Sequence, residues 1–120
     1  MGYPVVHFEL HGRDAGRLNG FYADVFGWEI DADNPMNYGR VDTKSGTGIA
    51  GGITASDIAP AVLVYIQVPD AQAALGKVQA AGGKVVMPVK VIPGAVTMAI
   101  FEDVEGNKVG LVNAETPGSE

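Results

Sequence analysis

No cysteine occurs in this chain of 120 residues, which removes disulfide bridges, thiolate metal sites and a cysteine nucleophile from consideration. That absence fits a reducing compartment, and the cytoplasm is the expected location. Long apolar runs are also missing, none approaching the roughly 20 residues of a membrane-spanning helix. The opening residues MGYPVVHFEL carry neither the basic region nor the cleavage pattern of a signal peptide, so export is not expected. Positive charge is scarce, with 8 Lys and Arg against 14 Asp and Glu, and none of it is clustered. Nucleic acid and anionic membranes are therefore poor partners. The net charge of −6 serves solubility first and a cationic ligand second.

What is present is a core. Apolar residues make up 47% of the chain and charged ones 18%, which suits one folded domain over residues 1–120. Its pattern repeats. An offset of 56 residues brings Val6 onto Val62, Asp14 onto Asp70, Ala15 onto Ala71 and Gly27 onto Gly83. In each copy a short apolar or alternating run is closed by an Asp, placed to accept hydrogen bonds from the first turn of a helix. Leu18, Phe21, Tyr22 and Val25 then recur at helical spacing after Asp14, as do Ala71, Ala74, Leu75 and Val78 after Asp70. Gly27 and the pair Gly82-Gly83 stand where the helices must end.

The first strand, about 3–11, places Val6, Phe8 and Leu10 on one face, to pack on the helix, and His7, Glu9 and His11 on the other. A helix over about 14–26 contains Gly16 and Gly20, which suggest close approach of helix to sheet. Strands are expected at 28–32, 38–43 and 49–54, with Asp33-Asn34-Pro35 and the glycine-rich 45–48 as turns. Residues 55–60 connect the copies. The second copy reads as strand 61–68, helix 70–81, and strands at about 84–87, 95–101 and 108–112, joined by the turns Pro93-Gly94 and Glu105-Gly106-Asn107. The tail from Glu115 is expected to fray. Module one thus covers about 3–55 and module two about 61–113. The order predicts an α+β fold of two βαβββ modules, with curved mixed sheets around a cavity and helices on the outer face.

Asp14, Phe21-Tyr22, Phe26-Gly27-Trp28 and the late turn Asp103-Val104-Glu105-Gly106-Asn107 resemble the vicinal oxygen chelate superfamily of lactoylglutathione lyases, bleomycin-resistance proteins and extradiol dioxygenases. The resemblance covers roughly residues 4–113, and Val104 departs from the proline usual in the late turn. It implies paired modules around a ligand cavity and, in the enzymes, a divalent metal held by inward His and Glu side chains. His7 matches one such place. Leu63, Gly110 and the stretch Ala50-Gly51 occupy the others and supply no ligand, so the resemblance implies a degenerate metal site. Glu9 and His11, on His7's face, are the remaining candidates for an improvised one.

His7 could act as a general base or ligand contact with Glu9 tuning it, or it could be a hydrogen-bonded wall residue. Trp28, Tyr38 and Tyr65 could stack on a flat ligand or fill a core. Tyr65 stands out because Leu63, Tyr65 and Gln67 correspond under the repeat to His7, Glu9 and His11. Gln67 is the polar group of that set. Met87 and Met98 could provide an adaptable apolar wall. The glycines at 46, 48, 51 and 52 precede no helix and include no phosphate-loop Lys, so they read as turns. No Ser or Thr shows a His-and-acid constellation in sequence. The reading is a metal-independent binder of a small apolar or aromatic molecule, forming a homodimer and needing no cofactor. A metal-dependent lyase, isomerase or dioxygenase competes with it, as does a structural or regulatory dimer without ligand.

Overall fold

The computed structural model describes residues 2–114, and the tail from Glu115 lies outside them. Two compact units are present, one of residues 7–63 and one of residues 1–6 with 64–120.

The first unit holds most of β1 (Val5–Gly12), then α1 (Ala15–Phe26), β2 (Glu29–Asp31), β3 (Gly39–Asp42) and β4 (Gly51–Ala55). Its strands are ordered β2-β3-β4-β1, with β1 parallel to β4 and the other pairs antiparallel. Asp14 caps α1 as its spacing predicts, its carboxylate accepting from the Arg17 N–H at 3.0 Å. Gly27, at φ 70°, ends the helix by donating its N–H to the Ala23 carbonyl. Leu10, Val41 and Ile53 form the core beneath α1, with Phe8, Leu18, Tyr22, Trp28 and Ile30 packed against them. Gly16 and Gly20 do not serve the approach of helix to sheet. A Cβ on Gly20 would meet nothing within 4 Å, and one on Gly16 only the Asp14 Oδ1 at 3.6 Å. Both face outward, although each costs a helix interior about 1 kcal/mol relative to Ala.

The second unit repeats the design with most of β5 (Ala61–Val68), then α2 (Ala71–Ala80), β6 (Lys84–Ile92), β7 (Val96–Glu102) and β8 (Lys108–Asn113), ordered β5-β8-β7-β6. Here β5 runs parallel to β8, and β8-β7 and β7-β6 are antiparallel. Asp70 accepts from the N–H groups of Gln72 and Ala73, and Asn113 Oδ1 takes that of Ala71. Val68, Ala71, Leu75, Ala99 and Leu111 make this core. The helix ends at Ala81, and it is Gly82, at φ 101°, that takes the left-handed role of Gly27. Strand β6 runs five residues beyond the predicted Met87, through Pro88. It is the edge strand of its unit and shifts register around Met87, where a missing N–H is tolerated. Asp103 accepts from the N–H groups of Glu105 and Asn107, which sets the late turn.

The fold is therefore α+β, built of two βαβββ modules with mixed strand pairing. No helix among the described residues is long and apolar enough to cross a membrane.

Candidate functional site

In the first unit, the face of the sheet turned away from α1 carries a continuous line of polar side chains. His7, Glu9 and His11 occupy alternate positions of β1, so the pleat projects all three to this side. Tyr38, immediately before β3, reaches between two of them. Its hydroxyl donates to Glu9 Oε2 at 2.8 Å and lies 2.9 Å from His7 Nε2. Glu9 Oε1 takes His11 Nε2 at 2.6 Å, and His11 Nδ1 meets Ser56 Oγ at 2.6 Å. The order is His7, Tyr38, Glu9, His11, Ser56.

Proton positions follow from this order. A phenol has one hydrogen, and Tyr38 gives it to Glu9, so its oxygen accepts from His7 Nε2–H. A neutral His7 then carries its lone pair on Nδ1. The His11 ring donates from Nε2 to the carboxylate, which leaves Nδ1 to accept the Ser56 hydroxyl proton when the ring is neutral. Glu9 and His11 are 5% and 7% exposed, so this is a buried ion-pair-type contact with its hydrogen bonds made. Burial, then the charge and hydrogen bond of Glu9, push the Tyr38 phenol far above its ordinary value, and it stays protonated as a donor.

Local sequence explains the placement of Tyr38. Asn34, read in sequence only as a turn former, grips its backbone twice, accepting its N–H at 3.0 Å and donating to its carbonyl at 2.8 Å. Gly52 lies across from Glu9 in the β1–β4 register, and a Cβ there would overlap the Tyr38 hydroxyl. The missing side chain at 52 is the space in which the phenol meets the carboxylate. Gly51 points to the other side, where the Phe8 ring covers it. Arg40 shares the row of Glu9 and Gly52 through β3 and extends it to solvent with a fixed positive charge.

Three residues of this set escaped sequence reasoning: Ser56, Gly52 and Asn34. Ser56, His11 and Glu9 stand in the order hydroxyl, imidazole, carboxylate of a hydrolytic triad. Two shallow clefts of this unit, one lined by residues of α1 and Pro60 and the other by residues 42–50, are not lined by Ser56 or His11.

Trp28 sits on the α1 side of the sheet, stacked on Tyr22 at 5.2 Å between ring centroids and tilted against Phe8 at 5.5 Å. Tyr65, Gln67 and Met98 belong to the second unit and share its helix-free face. Tyr65 is in register with Gly110 and Gln67 with Val112, which is opposite Met98. The Tyr65 ring fills the space a side chain at Gly110 would need, and Tyr65 is buried. Met87 opposes Ile100 in the same sheet.

Burial holds the His7 imidazole below its ordinary value of 6.5, while the Glu9 charge pulls the other way. The folded state thus binds this proton less readily than the unfolded state does. The contribution to stability is complete above about 6.5 and is lost as pH falls through the lower folded-state value. Urea midpoints measured from pH 8 down to 5 should fall, and the fall should be shallower in His7→Gln. An unchanged slope in that variant would assign the loss to other groups.

The comparisons with known proteins agree with this architecture. Residues 5–43 match a family described as bleomycin resistance protein-like N-terminal. A "Putative glyoxylase CFP32" of Mycobacterium tuberculosis is 33% identical over 115 residues, which cover 88% of this chain and 44% of that protein. The chain thus spans less than half the length of the curated relatives it matches. Among solved structures, a glyoxalase/bleomycin resistance protein/dioxygenase superfamily member from Vibrio splendidus shares the fold with a TM-score of 0.63 at 16% identity, over 93% of this chain and 99% of the other. Methylmalonyl-CoA epimerase from Mycobacterium tuberculosis gives 0.63 at 15% identity, over 93% and 88%. The fold is that of the glyoxalase-like proteins. The resemblance to the vicinal oxygen chelate superfamily rests on the bleomycin resistance protein-like match over residues 5–43 and on this shared fold.

Enzymes of that superfamily usually hold a divalent metal, and the residues here do not fit one. Among the described residues no group of three or more His, Cys, Asp or Glu side chains is placed to hold an ion. Both Glu9 oxygens, both His11 nitrogens and His7 Nε2 are engaged with protein groups. Leu63 is a fully buried apolar side chain, and Gly110 and Gly51 are covered by Tyr65 and Phe8.

Proposed function

We propose that this chain binds a small, flat, largely apolar molecule without a divalent metal, as a cytoplasmic homodimer. The observation that supports it is the closed line from His7 to Ser56, whose donors and acceptors satisfy one another instead of standing open to an ion. Polar groups linked in this way fix orientation, and affinity comes from apolar burial. On the helix-free face of the first unit, the stacked His7 and Tyr38 rings, 6.5 Å apart and 17° from parallel, offer a flat surface for a ligand.

A second reading is favoured by the comparisons, since a glyoxylase and a methylmalonyl-CoA epimerase are among the similar proteins. It makes the chain a metal-dependent lyase, isomerase or dioxygenase. One experiment separates the two. Protein purified without chelator is assayed for bound metal, then titrated calorimetrically with Ni, Zn, Mn and Fe(II). The binding reading expects substoichiometric metal and no tight uptake, and thermal-shift hits among flat aromatic compounds that are lost in Tyr38→Ala. Stoichiometric uptake of one metal would overturn it in favour of the enzyme.

A further inference from the structure

The Ser56 end of the polar line is not used by the ligand surface at His7 and Tyr38, and it has the geometry of an activated hydroxyl. Ser56 Oγ is 2.6 Å from His11 Nδ1, within reach of a general base, and the opposite ring nitrogen is held at 2.6 Å by the Glu9 carboxylate. Either imidazole nitrogen can take a proton, and here the bond to Glu9 fixes the tautomer that turns the Nδ1 lone pair toward Ser56. Glu9 and His11 are buried while Ser56 is half-buried, so solutes reach the set at the hydroxyl. The backbone holds that hydroxyl in place. The Ser56 N–H donates to the Gly12 carbonyl at 3.3 Å, and the Ala59 N–H closes a turn onto the Ser56 carbonyl at 3.4 Å. Among the described residues, the N–H groups of Asp57 and Ile58 inside that turn donate to no backbone acceptor, which leaves two donors beside the hydroxyl.

We propose that Ser56 is a nucleophile that accepts the acyl group of small, uncharged aryl esters, with His11 as its general base and Glu9 as the positioning residue. As Oγ bonds the acyl carbon, the hydroxyl proton passes to His11 Nδ1 and the carbonyl π pair moves onto oxygen, where an N–H of the turn can meet the charge. Return of that pair breaks the bond to the aryl oxygen, which leaves with the bonding electrons and takes the proton from His11. Water then gives a proton to the same nitrogen while its oxygen bonds the acyl carbon, and Oγ departs and recovers the proton. The products are a phenol and a carboxylic acid. In each half the imidazolium is stabilised by a carboxylate that it already touches. The exposed Asp57 side chain beside Ser56 disfavours anionic acyl groups, and aryl oxides leave readily enough for a half-exposed site.

The test treats the full chain with p-nitrophenyl acetate and, separately, with an alkyl fluorophosphonate, whose phosphorus Oγ attacks with loss of fluoride. Peptide mass spectrometry locates the adducts. Ser45 is the internal control, an exposed residue whose Oγ donates to the Thr47 carbonyl and not to an imidazole. In the native protein Ser56 should be labelled about 1,000-fold faster than Ser45, and in the chain unfolded in urea the two should react alike. Ser56→Ala should abolish the burst of p-nitrophenol. Glu9→Gln, by turning the His11 N–H toward Ser56, should slow labelling about 100-fold, together with a changed tautomer in the imidazole nitrogen spectrum. Equal labelling of Ser56 and Ser45 in the native protein overturns the proposal. So does a burst that survives Ser56→Ala, or a labelling rate that stays the same when the His11 tautomer has changed.

Discussion

Gly52→Ala should lower stability by about 3 kcal/mol in urea denaturation, the largest loss expected from adding a single methyl group. The cause is space and not backbone strain, since Gly52 has no positive φ. Its new Cβ would overlap the Tyr38 hydroxyl, and Tyr38 cannot retreat easily because Asn34 holds its backbone on both sides. Displacing the phenol breaks its bonds to Glu9 and His7 together. A buried carboxylate then loses a donor, which is the costly half of the event. A double-mutant cycle isolates this cause. With Tyr38→Ala already in place, Gly52→Ala should cost about 2 kcal/mol less than it does alone. Equal costs in both backgrounds would show that the methyl group disturbs something other than the phenol.

Glu9→Gln should cost about 2 kcal/mol, although it keeps the shape of the side chain. The carboxylate accepts on both oxygens, from Tyr38 on one side and His11 on the other. An amide can accept on only one and must turn an NH₂ toward the other donor. If the amide nitrogen faces His11, that ring must change tautomer, and Ser56 must then accept where it had donated. Nitrogen NMR of the two imidazoles should register the change together with the loss of stability. A loss within about 0.5 kcal/mol and an unaltered His11 spectrum would show that Glu9 is not the shared acceptor.

Much of the fold was legible in the chain because its signals are local. Asp14 and Asp70 are caps by their place before an apolar helical stripe, and Gly27 is a terminator by its place after one. The alternation of β1 put His7, Glu9 and His11 on one side without reference to any other strand. What could not be read there depends on residues far apart in sequence. Tyr38 and Gly52 meet Glu9 only because β4 pairs with β1 in a particular register, and no spacing announces a register. Ser56 reaches His11 across 45 positions for the same reason. Gly16 and Gly20 were legible as an anomaly and misassigned in direction. A helix periodogram shows which residues share a face, but for a stripe bordered by Phe21 and Val25 it does not say which face the sheet takes. For Trp28 the sequence leaves open a ligand-facing aromatic or a core residue, and the structure puts it on the α1 side with Tyr22 and Phe8.

The internal repeat has an evolutionary consequence. Both helices begin after the same cap, 56 positions apart, and both modules pair their first strand in parallel with their last. The helix-free faces have diverged, with His7, Glu9 and His11 in one copy and Leu63, Tyr65 and Gln67 in the other. Duplication of a half-length ancestor would leave such a pair, with the scaffold inherited twice and the chemistry rewritten on only one side of each sheet. A scaffold so separated from its chemistry is evolvable. Randomising positions 7, 9, 11, 38 and 52 together changes the site while leaving both helix-side cores as they are.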